Sequence, residues 1–179
     1  MDATREIEQV YSTMHQQAMK LTQLEVKYVL FTWRWWLLLA LAICPWLLWL
    51  VLRKKESTDR LLYAGLFVGL IGSSLDLFGI AYGLWSYQAS LIFQVPPMIP
   101  WDFSLLPVAT MFFLQYKPKA KPVIKALIYS LIGSFIWQPL AVLLHLYHPK
   151  HWPHYYSFPL FFALYLLANY VYSRNDFAK

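Results

Sequence analysis

Charge is what this sequence lacks most. Asp, Glu, Lys and Arg together make up 13% of its 179 residues, where a soluble domain carries about 25%. Hydrophobic residues reach 59% and aromatic residues 19%. A chain this apolar cannot remain disordered, and it has too little polar surface for an ordinary soluble globule. Cysteine is nearly absent as well. Cys44 is the single one, so no intramolecular disulfide can form and no Cys/His zinc spacing exists. It lies in an apolar run, where core packing is the expected role. Acidic residues are missing from the body of the chain, with only Asp76 and Asp102 between Leu61 and Arg174. There is no phosphate-binding glycine loop, no G-x-S-x-G and no H-E-x-x-H.

What is present points to a membrane. No Gly or Pro occurs before Pro45, so residues 3–32 read as one helix. Ile7, Val10, Tyr11, Met14, Ala18, Leu21 and Val26 form a rough apolar stripe between polar residues. Residues 1–34 are too charged to cross a bilayer and are expected to lie on its surface or on the protein. They carry no apolar signal-peptide core, so the first crossing helix is expected to serve as an uncleaved insertion signal.

A crossing helix needs about 20 apolar residues. Five candidates fill 35–172, at about 35–52, 61–84, 99–116, 123–146 and 156–172. Trp33, Trp35, Trp36, Trp85, Trp101 and Trp152 lie at their ends, as an aromatic belt would. The predicted fold is therefore an all-α integral membrane protein with five transmembrane helices and an N-terminal amphipathic helix. The net charge of +6 belongs to topology and anionic lipid rather than nucleic acid. Loop 53–60 carries Arg53, Lys54, Lys55 and Arg60. The tract 117–125 carries Lys117, Lys119, Lys121 and Lys125. Loop 85–101 has no basic residue and loop 147–155 only Lys150. This contrast predicts a cell-membrane protein with its N-terminus outside and a cytoplasmic tail at 173–179.

One echo runs through the chain. Leu70-Ile71-Gly72-Ser73 returns as Leu131-Ile132-Gly133-Ser134, which suggests a repeat of 61–116 in 123–172. Such parallel repeats occur in membrane folds.

Gly65, Gly69, Gly72, Asp76, Gly79 and Gly83 follow at spacings of 4, 3, 4, 3 and 4, which places them on one helix face. Small residues let helices approach closely in lipid, so this face is expected to pack. Asp76 in its middle is either a structural hydrogen-bonding group or a functional acid. It lies eight positions before Leu84, about 12 Å deep at 1.5 Å per residue. Gln138 lies eight positions before Leu146, at the same depth. With no base at that level, Asp76 is expected to hold a proton and donate to Gln138 or to the carbonyl freed by Pro139. Asp102 reads either as a helix N-terminal acid or as a second catalytic candidate. His145, Trp85, Tyr87 and Trp137 complete a candidate ligand or proton path. His145, His148, His151 and His154 recur every third residue and could hold a metal, but Pro149 and Pro153 break their helix, so no metal or other cofactor is predicted.

The runs Phe31-Thr32-Trp33-Arg34-Trp35-Trp36-Leu37-Leu38-Leu39, Pro45-Trp46, Leu75-Asp76-x-x-Gly79, Leu84-Trp85-Ser86-Tyr87 and Pro100-Trp101-Asp102 resemble a family of small, uncharacterised multi-pass membrane proteins from spore-forming Gram-positive bacteria. The likeness covers most of the chain and carries no activity. A second likeness, over about 40 residues, is to the half-size lycopene cyclase domain, which also places an acid in a span, W-x-Y at a span end and Pro-x-acid before the next. That likeness implies acid catalysis on an isoprenoid. The chain departs from it where the cyclase has a paired acid, since Asp102 is followed by Phe103.

These readings predict a multi-pass membrane protein that acts through helix packing or through lipid and partner contacts. An isoprenoid- or carotenoid-processing enzyme using Asp76 or Asp102, and a small transporter using Asp76 and Gln138, are the alternatives. The expected partners are membrane lipids and an apolar or isoprenoid ligand, with oligomerisation compatible and nucleic acid excluded.

Overall fold

The computed structural model describes residues 3–93 and 98–174. The tail beyond 174 and positions 94–97 of the expected outer loop lie outside the described residues. The chain is mostly helical, with one small sheet that a purely helical reading does not contain.

The N-terminal helix α1 spans Ala3–Tyr28. Its apolar stripe stays exposed, including Ile7, Val10, Tyr11, Met14 and Leu21. Its last turn is anchored through buried Glu25, whose carboxyl is pushed above the ordinary range by burial, against a hydrogen bond with the Ser90 side chain. Phe31 then takes a left-handed turn (φ 58°) and the chain enters α2, Trp33–Leu52. This helix buries little besides Leu38 and Trp49. Cys44 is exposed on it, not packed in a core, because α2 leans on the bundle from outside. Trp46 Nε1 anchors it by donating to the Phe103 carbonyl at 2.8 Å.

The bundle proper is α3 (Thr58–Ala81), α4 (Leu106–Gln115), α5 (Pro122–Ile132), α6 (Gln138–Leu143) and α7 (His154–Ser173). Helix α7 packs against α3, α4 and α5. Leu61, Ala64, Val68, Met111, Ala126 and Tyr165 lie fully buried where these helices meet. A π segment, Trp101–Leu105, leads into α4, and another, Gly133–Trp137, joins α5 to α6.

Three stretches are long and apolar enough to cross a membrane: Trp33–Leu52, Lys55–Ala81 and Pro122–Leu143. The other two expected crossings fall short for different reasons. The helical stretch 99–115 is too brief. Helix α7 has the length, with 20 residues, but its tyrosines and Asn169 lower its hydropathy.

The sheet explains the echo in the sequence. Strand β1 (Trp85–Tyr87) pairs antiparallel with β2 (Tyr147–Pro149), with Ser86 opposite His148. The helices feeding them end alike. Gly83 (φ 65°) and His145 (φ 53°) both turn left-handed. Leu84 N–H then donates back to Gly79 (2.8 Å) and Leu146 N–H to Ala141 (2.9 Å). Gln88 N–H donates to the Leu146 carbonyl and Lys150 N–H to the Leu84 carbonyl. Each bond maps onto the other when 62 positions are added or removed. The shared Leu-Ile-Gly-Ser is displaced by 61. The extra position falls at the π segment Gly133–Trp137, because a π turn accommodates one inserted residue. Two halves of like construction thus meet at the ribbon.

The other end of the bundle gathers the basic loops. Gln115 donates to the Leu52 carbonyl and accepts from Lys54 N–H. Lys125 Nζ donates to the carbonyls of Leu114 and Tyr116.

Candidate functional site

The glycine stripe is a bed for the polypeptide that carries the second acid. A methyl group on Gly69 would meet the Asp102 carbonyl at 3.1 Å, and one on Gly72 would meet Leu106 at 2.6 Å and Asp102 Oδ1 at 3.4 Å. Gly65 faces Met111 in the same way. On Gly79 a methyl would overlap the Trp85 indole. Gly83 does not belong to this face. Nothing lies within 4 Å of where its side chain would be, and its positive φ serves to end the helix.

That close approach brings both acids together. Asp76 is 5% exposed and Asp102 1%, and both carboxyls line the same space. Strand periodicity points Trp85 and Tyr87 to one side of β1, and both reach back over Asp76. Trp85 Nε1 donates to Asp76 Oδ1 at 2.8 Å and the Tyr87 hydroxyl donates to the same oxygen at 2.5 Å. Met98 N–H donates to Oδ2 at 3.1 Å. Asp76 is therefore an acceptor served by three protein donors. It neither donates to Gln138 nor uses a carbonyl near Pro139. Burial, with the two carboxyls beside it, pushes the Tyr87 phenol well above its usual range, which keeps it a donor.

Gln138 has its own partners. Its Nε2 donates to Ser157 Oγ at 2.8 Å, and Trp152 Nε1 donates to the same hydroxyl at 2.9 Å. Shifted by 62 positions, Gln138 is the counterpart of Asp76. Phe161 covers Gly133 as Leu106 covers Gly72, which makes Ser157, four residues before Phe161, the counterpart of Asp102. The acid pair of the first half thus answers to an amide–hydroxyl pair in the second.

A cavity of about 100 Å³ lies between these pairs. Asp76, Asp102, Gln138 and Ser157 line it, with Trp85, Tyr87, Trp101, Trp137, Tyr147 and Trp152 as aromatic walls. Trp101 and Trp137 stack at 5.4 Å and 10°. Leu75 and Leu160 also line it and are each 38% exposed, so the cavity reaches the outer surface of the bundle. Asp102 Oδ2 and Gln138 Oε1 are buried without a hydrogen-bond partner among the described residues.

Asp76, Asp102, Gln138, Trp85, Tyr87 and Trp137 therefore converge, as the sequence suggests. His145 does not join them. It is exposed and occupied with the left-handed helix end. His148 and His151 are exposed too, and His154 begins α7. No group of three metal-ligating side chains occurs among the described residues. Sequence reasoning missed Ser157, Trp152, Tyr147 and the Met98 amide. Tyr147 is legible once the 62-residue displacement is seen, since it stands where Trp85 stands. A lone serine in a Tyr- and Phe-rich helix gives no such signal. No protein family, curated protein or solved structure matches the chain.

Proposed function

We propose that this is a multi-pass cell-membrane protein that binds a small apolar or amphipathic ligand between its helices. The observation that carries the reading is the cavity itself. A protein acting only through helix packing needs a solid core, whereas here two carboxyl groups and seven aromatic side chains face shared space open to the bundle surface. Lipid-phase mass spectrometry of the purified protein tests it. A stoichiometric copurifying small amphiphile is the expected result, and its presence should fall when Ala141→Phe/Gln138→Leu fills and dries the cavity. A protein that releases only bulk phospholipid in both forms would defeat the proposal.

Five crossings complete this reading: α2, α3, the stretch 99–115, the α5–α6 run and α7. The clustering of basic loops at one end supports a cytoplasmic position for 53–60 and 117–122 and an outer position for 85–101 and 147–155. Cysteine introduced at 90 should label from outside intact cells and cysteine at 57 should not; the reverse pattern would invert the topology.

A second reading draws on the carboxyl pair. A protonated carboxyl in an apolar, aromatic cavity is suited to general-acid protonation of an alkene, as the likeness to the lycopene cyclase domain implies. Under that reading Asp76→Asn folds but abolishes turnover of an added isoprenoid, and an unchanged isoprenoid in the presence of the parent protein removes it.

A further inference from the structure

We propose that the cavity selects a small protonated amine carried on an apolar tail, a membrane-soluble alkylammonium. This deepens the ligand-binding reading above and rests on it.

The buried polar atoms left over in the cavity set the ligand's chemistry. Asp76 accepts from Trp85, Tyr87 and Met98 N–H. Asp102 Oδ2 is buried without a partner among the described residues. Gln138 spends its amide nitrogen on Ser157, and its Oε1 remains. Both remaining atoms are acceptors, so the complementary ligand group is a donor. A bare hydrocarbon offers none, and a fatty acid or phosphate would bring acceptors and negative charge to a site that has both.

Charge separates an amine from an alcohol. Two carboxyls line the cavity and no Lys, Arg or His is among the described lining residues, so no basic side chain there offsets an ionised carboxylate. A lone buried charge is costly in a low-dielectric interior, and a ligand cation offsets it. The walls suit a cation as well, because Trp and Tyr faces attract ammonium groups. Size narrows the choice further. A dry cavity of roughly 150 Å³ holds a benzene ring, so about 100 Å³ takes an ammonium head and the start of a chain. A quaternary head is bulkier and has no N–H for Asp102 Oδ2 or Gln138 Oε1. The apolar tail then leaves past Leu75 and Leu160, at the bundle surface.

The test is native mass spectrometry of the full chain in detergent with decylamine, decanol, decanoate and decyltrimethylammonium as probes. The expected result is one decylamine per protein, bound at least about ten-fold more tightly than decanol, a difference of 1.4 kcal/mol. Decyltrimethylammonium should bind several-fold more weakly than decylamine, and decanoate should not bind. Asp76→Asn/Asp102→Asn keeps shape and removes the charge, so it should bring the amine-to-alcohol ratio near one. Decanol binding as tightly as decylamine to the parent protein overturns the inference and leaves the ligand-binding reading standing. No stoichiometric binding of any probe overturns both. A double variant that fails to fold changes nothing, because the ranking on the parent protein decides alone.

Discussion

The two halves of the bundle solve one geometric problem with different chemistry. In the first, a carboxyl on α3 meets a carboxyl from the segment before α4, over a bed of glycines. In the second, an amide at the start of α6 meets a hydroxyl on α7, over a single glycine, Gly133. Only the first half needs three further donors to complete its polar group. The difference teaches where specialisation lies: the frame is shared, and the half that holds the acids carries the extra glycines and the W-x-Y strand that make room for them and satisfy them.

The sharpest way to break this comparison is to remove the polar group from each half. Asp76→Leu strands Trp85 Nε1–H, the Tyr87 hydroxyl and Met98 N–H at roughly 1–3 kcal/mol each, so a loss above about 3 kcal/mol or failed assembly is expected. Gln138→Leu disturbs one hydrogen bond to Ser157, a loss of about 1 kcal/mol. Steric-trapping measurements in bicelles would compare them, and equal losses would show that the halves are not specialised as described.

Packing gives the next contrast. Gly72→Leu drives a side chain into Leu106 and Asp102, and overpacking of this kind costs about 1–3 kcal/mol. Gly79→Ala displaces Trp85 and so uncaps Asp76. Gly133→Ala meets only the edge of Phe161, at 2.9 Å, and should lose less than about 1 kcal/mol. A Gly72→Leu protein that unfolds like the parent would mean the bed is not a bed.

The smallest effect concerns the matched helix ends. Both positions 83 and 145 are left-handed, a conformation that costs a non-glycine residue roughly 1–2 kcal/mol. Gly83→Ala should therefore destabilise by about 1 kcal/mol. His145→Gly should stabilise by a few tenths to about 1 kcal/mol, after the added freedom of the unfolded chain is subtracted. A destabilised His145→Gly protein would reveal a contact at that imidazole.

Much of this frame was legible in the residues. The spacing of Gly65, Gly69, Gly72, Asp76 and Gly79 announced a packed face, and W-x-Y beside Pro-Trp-Asp marked the residues that meet there. The partner of Asp76 was not legible, for a physical reason. Equal depth made Gln138 its expected contact, yet equal depth here reflects equivalent places in two like halves, and Gln138 bonds Ser157 of its own half. The real donors sit just past the helix end, on a strand that folds back, and hydropathy carries no trace of a chain reversal. The same reversal removed His145 from the site. Length and hydropathy single out three stretches where five were expected, because 99–115 is brief and the tyrosines and Asn169 of α7 lower its hydropathy; the proposed crossing of these two rests on their packing against neighbouring helices.

The placement of Asp76's partners has a consequence for synthesis. Trp85, Tyr87, Met98 and Asp102 all follow Asp76 within 26 positions, so the first half can satisfy its most expensive group from its own sequence. Strand β1 cannot complete itself in that way. Its partner lies 62 positions later, which at roughly 5–20 residues per second is about 3–12 s of translation. In the membrane topology proposed above, a buried acid that had to wait that long in lipid would expose the nascent chain to misassembly. The ribbon waits instead at the helix ends, where water and headgroups can serve its backbone until the second half arrives to close it.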